Sequence, residues 1–153
     1  MTDFDLRWDT LAPLFAALGD DRALAPHGGV GPADATVLAI ATADVSQPPK
    51  LPEGGGLAEA PLGEYDAVEL TIWGRPAAKG LIAFGEGVAA IGGFEFAADD
   101  ADGRLGAAVV SALAEEAFLE GAEWLVTLVD GDPAKVPAYL ADGWREAAKV
   151  SAS

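Results

Sequence analysis

The sequence predicts an α/β domain built on a mixed, mostly antiparallel sheet flanked by helices. Three observations carry this expectation. From Ala67 to Phe96, short apolar runs alternate with tight-turn residues (AVELTIW, GRPA, KGLIAF, GEG, VAAIGGFEF), the pattern of an antiparallel meander. Arg104–Glu120 then sets Leu105, Val109, Leu113 and Ala117 on one helical stripe, with Val110, Ala114 and Phe118 beside it, and Gly121 supplies a C-cap. Trp124–Val129 (WLVTLV) is a continuous apolar run of the kind found in strands covered on both faces.

The remaining elements follow in order. Residues 4–18 (FDLRWDTLAPLFAAL) place Leu11, Leu14, Phe15 and Leu18 at helical spacing and stop at Gly19, which predicts a short amphipathic helix interrupted or started near Pro13. Thr36–Val45 carries the β-branched and small apolar residues of a buried strand. Residues 47–63, with several prolines and a triple glycine, read as a long surface loop. Asp132-Pro133 offers an N-cap and a first-turn proline for a short helix reaching Ala141, and Gly143–Val150 reads as a final strand. The 153 residues suit one domain spanning 1–153, with a core at 67–150 and a less regular part at 1–63.

Composition narrows the chemistry. No run reaches the roughly 20 apolar residues of a membrane span, and Asp3, Asp5 and Asp9 are unlike the basic start of a signal peptide, so the expectation is a cytoplasmic protein. With no cysteine there is no disulfide, thiolate ligand or cysteine nucleophile. The single histidine, His27, sits between Pro26 and a Gly-Gly pair with no second ligand at metal spacing, so no metal is expected. GGVG at 28–31 follows no strand and precedes no lysine, unlike a phosphate loop. A net charge of −16, from 25 acidic and 9 basic residues, repels nucleic acid and anionic membranes and suits a cationic amine, although acidity serves solubility equally well.

Chemistry concentrates at the strand–loop–helix junction between Ile91 and Leu113, because a helix N-terminus presents backbone N–H groups and a positive dipole end that suit a phosphate. The sequence there, IGGFEFAADDADGRLGAAVVSAL, continued by WLVTLV and DPAKVPAYLADGW, resembles the GNAT superfamily of N-acetyltransferases from Ala67 to Val150. The resemblance implies that acetyl-CoA is a co-substrate and that the acceptor is a small-molecule or peptide amine. It also implies that amides around Gly103, Arg104, Leu105, Gly106 and Ala107 hold the pyrophosphate, and that main-chain groups at Phe94 and Phe96 hold the pantetheine arm and acyl carbonyl. The family's loop pattern is Arg/Gln-x-x-Gly-x-Gly/Ala. Here Ala101 replaces the basic or amide residue and Arg104 the first glycine, with Gly106 matching and Gly103 one residue early. Asp99, Asp100 and Asp102 add like charge beside an anion, at about 1 kcal/mol per exposed pair.

The family's second signature is an Asn before a short helix ending Leu-Tyr and then Gly-Phe. Here the matching positions are Asp132, Ala138-Tyr139 and Gly143-Trp144, and Pro137 falls inside the helix. The resemblance implies that Tyr139 protonates the departing thiolate, a role suited to a phenol; packing the helix on the sheet is the other reading. Glu95 stands where such enzymes place the carboxylate that takes the amine proton, directly or through water. Strand alternation turns Glu95 away from Phe94 and Phe96, so it serves equally as the solvent side of a half-buried strand. The alternative to a working transferase is an inactive member of the fold acting as a binding or interaction module. The family's usual first strand and paired helices are hard to locate before Thr36, so that segment is expected to be rearranged, shortened or supplied by a partner chain, as in a homodimer.

Overall fold

The computed structural model describes residues 8–18, 24–26, 34–45, 54–61, 65–85, 87–96, 104–130 and 144–152. These residues form helix α1 (Trp8–Ala17), strands β1 (Leu24–Pro26) and β2 (Ala35–Ala41), and a single 3-10 turn at Thr42–Asp44. They continue as β3 (Gly55–Pro61), β4 (Asp66–Ile72), β5 (Arg75–Phe84), β6 (Val88–Phe96), helix α2 (Arg104–Leu119), β7 (Trp124–Asp130) and β8 (Arg145–Ala152). The strands form one sheet in the order β1-β8-β2-β7-β6-β5-β4-β3. Among them β6 and β7 pair parallel, and every other described pair is antiparallel. The sheet is thus mixed and mostly antiparallel, with α2 as the crossover between its two parallel strands.

The helices cover opposite faces, as the alternation along each strand shows. Leu38, Ile40, Ala89, Ile91 and Leu125 join Leu105, Val109 and Leu113 of α2 in one core. Their sequence neighbours Val37, Ala39, Val88, Ala90 and Val126 join Leu11, Leu14 and Phe15 of α1 in the other. Residues 35–40 of β2 are all buried, which explains why that strand reads as an unbroken apolar run. Helix α2 lies directly on β5, where a Cβ at Gly80 would come within 2.7 Å of Val109 Cγ1. The helix ends in a Schellman motif: Gly121, at φ +84, donates its N–H to the Phe118 carbonyl and Ala122 donates to that of Ala117.

Three expectations need correction. The stretch 47–63 is not all loop: Gly55–Pro61 is strand β3, paired along its whole length with β4. It is the sheet's last strand, so one side of its backbone needs no partner, which is what makes glycine and a terminal proline tolerable there. Helix α1 starts at Trp8 and runs through Pro13, whose side is exposed, while Leu11, Leu14 and Phe15 are buried and hold the helix to the sheet. GRPA is not a turn. Trp73 and Gly74, at φ 54 and 79, make the two-residue reversal, and Arg75 already belongs to β5.

Candidate functional site

The only parallel pair in the described sheet is also where the sheet opens. The β6–β7 ladder runs from Val88 opposite Trp124 to Ile91 opposite Thr127 and stops there. β7 continues to Asp130 along β2, and β6 continues to Phe96 along β5, so the two strands part like a fork. The cause lies in β6. Between the pairs Leu81–Gly92 and Lys79–Glu95, β5 advances two residues and β6 advances three, a β-bulge that bends the longer strand. Gly93 makes the bulge feasible, since it sits at φ +61 and a Cβ there would lie 2.6 Å from Leu81 Cδ1. β7 cannot follow the bend because β2 holds it over seven residues, Ala35 to Ala41. At the apex of the fork the buried hydroxyl of Thr127 donates a hydrogen bond of 3.0 Å to the Ile91 carbonyl.

Topology places the start of α2 at the open end. The helix leaves the far end of β6 and returns to Trp124, which lies beside Val88 at the closed end, so it runs back along the strands. Its first turn therefore lies toward the open end of the parallel pair, and that turn carries no acidic residue. Leu105 and Gly106 are buried and Ala107 is half-buried. Leu105 belongs to the core, so its side chain is committed to packing.

The strand residues singled out from sequence divide between the two faces. Phe94 is half-buried against the α2 core, and Phe96, 38% exposed, lies on the same face opposite Ala78. Glu95 points to the face that carries α1 and meets Lys79, its cross-strand partner, at 3.1 Å. The glutamate side chain is 72% exposed, and an ion pair this open is worth about 0–1 kcal/mol, so it orients the carboxylate without burying it. Glu69 stands opposite Lys79 on β4, completing a row of alternating sign across three strands. Gly103, Asp132 and Tyr139 lie outside the described residues, as do Asp99–Asp102 and His27.

No protein-family model matches the sequence, and no curated protein matches it by sequence. Among solved structures, a GCN5-related N-acetyltransferase from Kribbella flavida superposes with a TM-score of 0.60 at 18% identity, over 84% of this chain. The fold is the GNAT fold. The chain spans 58% of the length of that structure. Thr127 and Gly93 were not foreseen as site residues. The signals were a Gly-Gly pair inside a strand, which marks a bulge, and a lone hydroxyl within WLVTLV.

A cavity of about 440 Å3 lies away from the fork, between α2, the 3-10 turn and β3, and is lined by Thr42, Val45, Leu57, Ser111 and Phe118 among others. It sits at the closed end of the parallel pair, where Ala41 meets Trp124. Among the described residues, no group of His, Asp and Glu could hold a metal ion, and no helix is long and apolar enough to cross a membrane.

Proposed function

We propose that this chain is an acyl-CoA-dependent N-acyltransferase that passes an acetyl group from acetyl-CoA directly to an amine within a ternary complex. The observation that carries the reading is the fork: a sheet that parts beyond Ile91 and Thr127, with a helix beginning at its open end. Two features of the described residues support such a co-substrate. The bulge bends β6 beyond the last rung of the β6–β7 ladder, which supports an extended arm reaching that part of the sheet, and the acid-free first turn of α2 suits a pyrophosphate. Backbone at Phe94 and Phe96 serves the arm, and Gly103 to Ala107 serve the phosphates.

In this reading Glu95 accepts the proton that the amine nitrogen loses as its bond to the acyl carbon forms. Tyr139 gives a proton to the sulfur as the carbon–sulfur bond breaks, and Asp132 contributes to holding the coenzyme. Exposure of Glu95 on the acidic molecule draws a cationic amine toward the same face. Holding donor and acceptor together supplies much of the rate, as in any ternary-complex transfer.

A second reading, an inactive fold member serving as a binding module, is favoured by Ala101 and Arg104 at the loop positions where the family carries a basic or amide residue and a glycine. Calorimetric titration with acetyl-CoA at low and moderate salt separates the two. The transferase reading expects micromolar affinity that weakens with salt and falls roughly tenfold or more in Arg104→Ala, the loss of one charge-assisted contact. No binding at millimolar acetyl-CoA overturns it in favour of the binding module.

A further inference from the structure

We propose that Thr127 is a positioning residue: its hydroxyl latches the last rung of the β6–β7 ladder and thereby fixes how wide the fork opens. Three observations lead there. Thr127 is the last residue of β7 paired with β6, and its parallel partner is Ile91, the residue whose carbonyl accepts the hydroxyl's hydrogen bond at 3.0 Å. Both residues are buried, with Thr127 at 3% exposure, so no bulk water competes for that carbonyl. The bulge begins immediately beyond, at Gly92 and Gly93, so any slip of the last rung moves the whole arm Gly92–Phe96 against β7.

A neighbouring threonine gives the contrast. Thr36 stands on β2 opposite Val129, on the same face of the sheet and one diagonal step from Thr127, and is 1% exposed. Its Oγ1 has no hydrogen-bond partner among the described residues. Of two buried threonines side by side, the one with an acceptor is the one at the apex. A valine at 127 would match the shape and the strand preference but would withdraw the donor.

The latch is a property of the fold itself; its consequence for coenzyme affinity rests on the transferase reading. Hydrogen exchange without ligand tests the first, comparing wild type, Thr127→Val and Thr127→Ser. The latch predicts exchange faster by on the order of tenfold in Thr127→Val, confined to residues 88–96 and 127–130, with β3 and β4 unchanged and Thr127→Ser restored to wild type. Wild-type exchange at the fork in Thr127→Val, acceleration spread evenly over the sheet, or failure of serine to rescue would each overturn it. Acetyl-CoA titration of the same proteins tests the consequence: affinity about tenfold weaker in Thr127→Val and within twofold of wild type in Thr127→Ser. If wild type itself binds no acetyl-CoA, the transferase reading falls while the exchange result still decides the latch.

Discussion

Strand β6 is two different strands joined at Ile91. From Val88 to Ile91 it is gripped by β5 on one side and β7 on the other, and all four side chains are buried between the helices. From Gly92 to Phe96 it keeps only β5 as a ladder partner, and glycine, a charged residue and half-exposed aromatics appear. The same chain segment thus passes from an apolar to a mixed composition at the last rung of the β6–β7 ladder. A strand held on both edges and both faces accepts little besides apolar residues, whereas one beyond the end of a ladder has room for a bulge and for a carboxylate in water.

The contrast can be broken most severely at the bulge. Gly93→Val forces a β-branched residue into a left-handed conformation and drives its Cβ into Leu81, so thermal melting should show a loss of about 2–4 kcal/mol. Gly92→Ala, one residue earlier, places its Cβ 3.4 Å from Leu18 Cδ1 in ordinary contact and should cost under about 1 kcal/mol. Equal losses would mean that Gly93 does not shape the fork. The smallest effect lies at Thr36. Removing its unpartnered hydroxyl in Thr36→Val should raise stability by up to about 1 kcal/mol, seen as a melting temperature higher by roughly 2–4 °C. A loss there would reveal an acceptor for the hydroxyl and weaken the distinction drawn between Thr36 and Thr127.

Local signals in the sequence were enough for α2, β7 and the meander, because each is written in neighbouring residues: the apolar stripe from Leu105 to Ala117 with Gly121 behind it, the run WLVTLV, the glycines between strands. Strand β3 was not legible, because Gly54–Gly56 and Pro61 carry turn chemistry and only its place at the sheet's edge makes them admissible. Nor was α1 through Pro13, where burial of Leu11, Leu14 and Phe15 outweighs one missing backbone bond. The insertion of β2 between β7 and β8 is a long-range pairing with no local trace.

At the candidate site, the sequence order located the junction from Ile91 to Leu113, and alternation foretold that Glu95 faces away from the phenylalanines. The bulge was hidden, since Gly92-Gly93 fits either a flexible strand or a turn until the register with Leu81 and Lys79 is known. Thr127 was hidden for a related reason: its acceptor lies 36 positions away in the chain.

The central claim is that the open end of β6 carries a general base beside a bound thioester. Its most direct measurement is amine-dependent release of free thiol from acetyl-CoA, followed across a panel of amines for wild type and Glu95→Gln. The account predicts turnover with at least one amine and a rate lower by about 10²–10⁴-fold in Glu95→Gln, with acetyl-CoA affinity and melting temperature little changed because the carboxylate is exposed and its ion pair weak. Equal turnover in the variant, or thiol release with no amine of the panel, would contradict it.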